Sequence, residues 1–390
     1  MLGYIVRGPV GGMAWHHLQY LLGLTRLGHR VTFLEDSDDV PWSCYDPERD
    51  VTDEDPTYGL AFTDRIMRQL RLERWAYYDA HRDAWHGPAG GAIARTCSAA
   101  DVLLDLSLVH PPRPWVTGIP TRIAVDTDPV FTQLRHLNEP DRLARAEMHN
   151  AHFTFAESPR RSLPDDGFTW RPTRQPVVVE MWPVVPAPAA APFTTVMQWD
   201  SYPALEHQGE RFGMKSDSFT PFRDLPRRTR VPLELAASGP ALPWLELQTL
   251  GWRILHPLVP TANPWTYRRY IRASRGEFSV AKQGYVAART GWFSERSANY
   301  LASGRPVVTQ ETGFSDVLPT GEGLLAFSTL DEAVAAVEDV AAGHERHSRA
   351  ARELAVEWFD SRKVLTRLLE DAFAAHSSAK PKPVIETAVG

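Results

Sequence analysis

The chain reads as an α/β protein made of two doubly wound, Rossmann-like domains. Three observations predict this. At 390 residues it exceeds the ~250–300 residues that one hydrophobic core usually serves. Near its start an apolar run, a Gly-rich turn, an apolar-periodic helix and a second apolar run follow in β–loop–α–β order. That order builds parallel sheets with right-handed crossovers. After a Pro/Ala-rich break at 183–192 the same alternation begins again.

In the first half, residues 4–7 are read as a strand and Gly8-Pro-Val-Gly11-Gly12 as a tight turn. Residues 15–27 form a helix, because Leu18, Leu21, Leu22, Leu24 and Leu27 fall near one stripe. Gly28-His29 closes it, and 30–35 is the next strand. The Gly-x-x-Gly-Gly spacing departs from the Gly-x-Gly-x-x-Gly of dinucleotide-binding turns, so no NAD is read here. Residues 36–55 are acidic and aperiodic, hence a surface loop. Residues 63–84 are expected to be helical from the stripe Phe62, Ile66, Leu70, Leu72. Residues 101–107, 121–126 and 152–157 are buried strands, and 142–150 a helix.

The Pro-rich segment 183–192 suits a semi-rigid linker. The expected organisation is a domain at 1–182, the linker, a second domain at 193–350, a helix at 351–376 that crosses back, and a mobile tail at 377–390. Within the second domain the expected order is a strand at 193–199, a loop to Lys215, a helix at 230–237, a strand at 252–256 and a helix at 264–274. A short strand at 277–282, a Ser294-led helix and a strand from Val307 follow. A helix at 330–340 precedes the long one.

The bulk numbers exclude several classes. A net charge of −6 argues against general nucleic-acid or anionic-membrane binding, which needs a basic face. The Arg227-Arg228-Thr-Arg230 cluster is local and reads as a solvated turn. No apolar run approaches the ~18–20 residues of a membrane span. The opening Met1-Leu-Gly-Tyr-Ile-Val is interrupted by Arg7 too soon for a signal peptide. The two cysteines, Cys44 and Cys97, fit a reducing compartment, and no Cys/His spacing suggests zinc. A cytoplasmic protein is expected; composition sets no oligomeric state. The 13 Trp and 32 Pro suggest flat, rigid surfaces suited to ring-shaped ligands.

The chemistry concentrates late. Ser294 is a good N-cap for a helix that begins at the end of a strand, and such a helix start offers free N–H groups and a favourable dipole to an anion. The run Ser303-Gly304-Arg305-Pro306-Val307-Val308, followed by Thr312-Gly313-Phe314-Ser315-Asp316, resembles the donor-binding half of GT-B glycosyltransferases. In that superfamily a helix ending in a small residue, Gly, x, Pro and two valines precedes a Gly-bearing loop, and the pair holds a nucleotide sugar.

The resemblance implies two domains facing across a cleft. The second holds a nucleotide-diphosphate sugar and the first a small-molecule acceptor. The cleft closes by hinge motion at 183–192 and the last helix. No cofactor beyond the sugar nucleotide and no metal is implied, because cations of the chain meet the diphosphate.

On this reading Lys215, Lys282 and Arg296 neutralise phosphates. Ser294, Glu295 and Ser297 line the helix start, and Thr312, Gly313 and Phe314 bring the loop close. Glu311 accepts a hydroxyl, Trp199 covers a base or sugar, and Gly11 and Gly12 border the cleft. The acid/base group comes from the first domain: His16, with His17 less favoured, or Asp126 and Asp128 at a strand end.

One departure stands out. Many retaining members carry Glu-x7-Glu before the Gly-x-Pro turn. Here Gly291 and Asn299 occupy those positions, and Glu295 lies one turn earlier. Three other readings remain open. One is a GT-A transferase whose Asp126-Thr-Asp128 holds Mn²⁺ or Mg²⁺. The others are a nonhydrolysing sugar-nucleotide epimerase and a non-catalytic binder.

Overall fold

The computed structural model describes residues 1–378. Its first half is built on one sheet, running Ala84–His86, Trp75–Asp79, Phe33–Asp36, then Val102–Leu106, Thr121–Asp126, Ala151–Thr154 and Trp170–Pro172. All pairings are parallel except that of Ala84–His86 with Trp75–Asp79. Leu2 joins the two parts of this sheet by bridging Leu34 on one side and Asp105 on the other.

The strand expected at 4–7 is absent: residues 5–7 are a bend and the one bridge nearby is at Leu2, and Glu35 is the reason. Its buried carboxylate takes the backbone N–H groups of Ile5 (2.7 Å) and Val6 (2.8 Å) on Oε2 and that of Arg7 (2.7 Å) on Oε1. Three successive N–H groups converging on one anion form a nest, and they cannot also serve a ladder. The Gly11–Arg26 helix starts just beyond it.

Two expected helices are strands or end early. The helix expected at 63–84 runs only over Thr57–Gln69. Arg71 then takes φ +56°, and Trp75–Asp79, three of whose first residues are buried, pairs with Phe33–Asp36. The helix expected at 230–237 is the strand Leu233–Ser238, held between Phe193–Gln198 and Arg253–Leu255. Its Leu-Glu-Leu-Ala-Ala composition favours a helix, but pairing on both sides and burial of four of its six residues override that preference.

The second half is a six-stranded, wholly parallel sheet. Its order is Arg253–Leu255, Leu233–Ser238, Phe193–Gln198, Gly276–Ser279, Val307–Gln310, Leu324–Phe327. Numbered along the chain this is 3-2-1-4-5-6, the dinucleotide-fold order. The switch point lies between Phe193–Gln198 and Gly276–Ser279, and ligands of such sheets bind beyond the strand C-termini there.

The long helix expected at 351–376 is divided into His344–Leu354, a π-helical turn at Ala355–Phe359, and Ser361–Ser378. The last piece returns to the first half, where Leu365, Leu368 and Ala372 pack with Tyr20, Leu24 and Ile123. Val177 bridges Asp360 at the crossing, through Val177 N–H to Phe359 O (2.6 Å) and Ser361 N–H to Val177 O (2.8 Å). From residue 379 the expected tail lies outside the described residues. Among those described, no helix is long and apolar enough to cross a membrane.

Glu35→Ala should leave three N–H groups unsatisfied inside the first half. A loss of about 3 kcal/mol is expected from such groups, measurable as a lower denaturant midpoint with little change in far-UV circular dichroism.

Candidate active site between the two sheets

The C-terminal ends of both sheets meet, and the halves share apolar clusters. One joins Ile5, Trp15, Phe33 and Trp75 to Tyr267, Phe293, Tyr300 and Phe314. Trp15 Nε1–H donates to Pro264 O (2.7 Å), and Gln19 Nε2 donates to Asn299 Oδ1 (2.9 Å). Gly11 is required at this seam, since a Cβ there would lie 2.4 Å from the backbone oxygen of Asn263. Gly11 and Gly12 thus face the Pro264–Ala273 helix rather than an open cleft.

At the centre of the seam, Lys282 Nζ donates to Asp128 Oδ1 (2.8 Å) and to Tyr202 OH (2.7 Å). Tyr202 OH donates to Asp128 Oδ2 (2.5 Å), and Tyr285 OH to Asp128 Oδ1. Arg135 stacks over Tyr202 at 4.1 Å. Lys282 also lies over the rings of Tyr202 (4.4 Å), Phe131 (5.0 Å) and Tyr285 (5.3 Å). Burial works to raise the Asp128 carboxyl, but Lys282 and Arg135 outweigh it and hold it below the usual range. Burial lowers Lys282, and Asp128 pulls it back up. Two residues expected to serve acceptor and donor separately are therefore partners.

Asp126 is not free to act as a base or to hold a metal. Its oxygens accept from Thr132 Oγ1 (2.6 Å), Thr154 Oγ1 (2.7 Å), Gln133 Nε2 (3.1 Å) and the Asp128 N–H (2.9 Å). This network also supports Val130, a β-branched residue at φ +66° whose N–H donates to Gln133 Oε1 (2.7 Å). Strain of this kind persists only where surroundings over-determine the backbone.

The two histidines separate cleanly. His17 is used at both nitrogens, with Nδ1 2.8 Å from Met13 O and Nε2 accepting from the Tyr4 N–H (3.1 Å). His16 Nδ1 lies 2.7 Å from Gln175 Oε1, while its Nε2 is buried without a partner among the described residues. Burial lowers the basicity of His16, and the charge of Glu295 across the seam raises it.

Several expected donor residues are placed elsewhere. Arg296 turns back into the sheet, donating to Glu277 Oε1 (2.5 Å), Val196 O (2.6 Å) and Ser279 Oγ (2.6 Å). A buried carboxylate neutralises it, which leaves it no free edge for phosphate. Trp199 packs in the core with Phe219, rings 5.2 Å apart, and Phe314 is fully buried against Phe293. Glu311 folds back onto the Gly313 N–H (2.5 Å), and Thr312 Oγ1 donates to Trp292 O (2.7 Å). Gly313, at φ +97°, is pressed against Arg289 O and Ser158, so its loop touches the first half. Ser294 caps its helix through Arg296 N–H (3.2 Å), and Ser297 Oγ is buried without a partner.

Lys215 and Glu295 remain near the seam. Lys215 starts the Lys215–Phe219 helix, whose Ser216 N–H donates to Trp199 O (3.2 Å) past the end of Phe193–Gln198, and among the described residues its ammonium has no hydrogen bond or ion pair. Burial, then the charges of Arg296 and Lys282 against the pull of Glu295, brings it down to about 7. Two sizeable cavities lie away from this seam. One of about 630 Å³ is bordered by Arg227, Arg230 and Arg275, and one of about 560 Å³ lies under the last helix. Shape alone would point there, but the convergence of titrating groups from both halves marks the seam.

No family model matches the sequence, and no curated protein matches it. Solved structures do resemble it over nearly full length. An alpha-glucosyltransferase in complex with UDP-glucose and DNA containing an abasic site aligns at TM-score 0.55 and 10% identity, over 95% of this chain and 98% of that one. Anabaena HepE in complex with UDP-glucose aligns at TM-score 0.54 and 11% identity, covering 92% and 96%. Sucrose-phosphate synthase from Thermosynechococcus elongatus aligns at TM-score 0.51 and 12% identity, covering 96% and 98%. The fold is GT-B.

Within this GT-B chain, sequence reading missed Tyr202, Tyr285, Arg135 and Gln175. The tyrosines lie in unpatterned loop and short-helix sequence, and only the closing of the two sheets brings them to Asp128. Asn299, at the expected Glu position, is the exception with a signal: its amide meets Gln19, a polar residue on the apolar helix stripe.

Asp128→Ala should release Lys282 and both tyrosines together. Loss of one partner from such a half-buried, charge-assisted network costs about 2 kcal/mol. The melting midpoint should fall, and the radius of gyration by small-angle scattering should rise as the halves separate.

Proposed function

We propose that this protein transfers a glycosyl group from a nucleoside-diphosphate sugar to a small soluble acceptor, with no metal and no further cofactor. The observation that carries this reading is Lys215. It has no hydrogen bond or ion pair among the described residues, it lies near the switch point of a 3-2-1-4-5-6 sheet, and Lys282, bonded to Asp128 and Tyr202, is close enough to lower its basicity. A diphosphate entering there would gain Lys215 outright and compete with Asp128 for Lys282. Two GT-B neighbours were solved with UDP-glucose at 10–11% identity, which supports the donor class by analogy.

In the reaction the acceptor oxygen bonds to the anomeric carbon and the bond from that carbon to the diphosphate oxygen breaks. The electron pair leaves with the nucleoside diphosphate, where the lysines stabilise the added charge. The acceptor proton passes to His16 Nε2, the free lone pair at the seam. Metal-independent neutralisation is favoured because the Asp126 oxygens are already filled by hydroxyl and amide donors. One GT-B neighbour was solved in complex with DNA, so the fold itself does not rule out nucleic acid. The net charge of −6 is what favours a small molecule here.

A thermal-shift panel tests the donor. At a hundredfold excess over Kd, a bound nucleoside diphosphate adds about 2.7 kcal/mol, so one diphosphate should raise the melting midpoint clearly and its monophosphate much less. Lys215→Met should weaken that shift with an unchanged midpoint in buffer. No response to any nucleoside diphosphate would remove the proposal.

The ionisation of Lys215 supplies a second test. Free, it is largely neutral above pH 7; beside phosphate it returns toward its ordinary value. Binding of UDP between about pH 7.5 and 9 should therefore take up protons. Calorimetry in two buffers of different ionisation heat should show this, and Lys215→Met should reduce it.

A further inference from the structure

His16 is one residue from His17 on the same helix and differs from it in one respect: an open nitrogen. What decides which nitrogen is open lies on the segment leading to the inter-sheet crossing. Gln175 is 1% exposed, and its amide is fully engaged. Its Nε2 donates to His16 O (3.2 Å) and to Pro176 O (3.1 Å), and its Oε1 faces His16 Nδ1 at 2.7 Å. Turning the amide over would set its oxygen against two carbonyl oxygens, so only one orientation is satisfied. In that orientation Oε1 can only accept. A neutral His16 must then carry its proton on Nδ1, and its lone pair is on Nε2, the atom with no partner.

We infer that Gln175 is a positioning residue that locks His16 in the Nδ1–H tautomer and so keeps the Nε2 lone pair available to the acceptor. The inference rests on the proposed base role of His16. A histidine free to exchange tautomers would spend part of its time with Nε2 protonated, where it cannot accept the acceptor's proton. Gln175 is neutral, so it fixes the ring without adding charge. The titrating groups around His16 are His17 and Tyr20 on its own helix, with rings at 4.9 and 6.0 Å, and Glu295 from the facing helix. Of these, Glu295 is the acidic group, and it favours the imidazolium formed after proton transfer.

The ring nitrogens of assigned His16 in the unliganded full-length protein give the test, by long-range ¹H–¹⁵N correlation at pH 8. The wild type should show Nδ1 protonated and Nε2 bare. Gln175→Met, close in shape but without the acceptor, should shift the ring toward the Nε2–H form. Turnover is then measured for the nucleoside-diphosphate glucose whose nucleotide gives the largest thermal shift, with water as acceptor. The variant should lose roughly 10²-fold in kcat, the scale of a general base, with KM little changed. A wild-type ring protonated at Nε2 overturns the inference whether or not the variant folds. A Gln175→Met ring that keeps the wild-type tautomer does the same. If the tautomer responds as expected and kcat does not, the lock stands and the base role of His16 falls.

Discussion

The structure depends on how one carboxylate is satisfied. Asp128 stands just past a strand of the first half, where Arg135 of the same half lies 3.5 Å from it, and its closer donors, Lys282, Tyr202 and Tyr285, come from the second half. A half-buried anion set against aromatic rings is stabilised when it is paired and hydrogen-bonded. Most of the donors that satisfy Asp128 therefore depend on the two halves staying together. The neighbouring loop is built to hold it there: Asp126 collects hydroxyl and amide donors, and Val130 is kept in a backbone conformation it would not choose.

The cations of the second half sort by their partners. Arg296 has a buried carboxylate and two further acceptors, and behaves as part of the sheet. Arg305 and Arg352 are spent on backbone carbonyls around the crossing segments. Lys282 is paired with Asp128, and Lys215 has no hydrogen bond or ion pair among the described residues. How each cation is partnered, rather than the number of positive charges, separates those built into the scaffold from those left available.

The alternating pattern, the Pro-rich break and the late Gly-Arg-Pro block made the two-sheet architecture legible from sequence, because each is a local signal. Local signals also caused the errors. Leu-Glu-Leu-Ala-Ala at 233–237 has helical composition, and only the strands on either side make it a strand. Lys215, Lys282 and His16, which the structure places near the seam, could be named from their positions at strand and helix ends. Their partners could not, since Gln175 and Asp128 lie 159 and 154 positions away from His16 and Lys282. Arg296 and Trp199 were misread for the complementary reason: a position near a helix or strand end fixes where a side chain begins but not which way it turns.

Glu35 has a consequence for the two halves as a pair. In the first half the N–H groups of the turn that leads into the first helix are taken by a side chain of the protein itself. Two similar frameworks become unequal through a single internal occupant, a difference set in the core rather than at the surface.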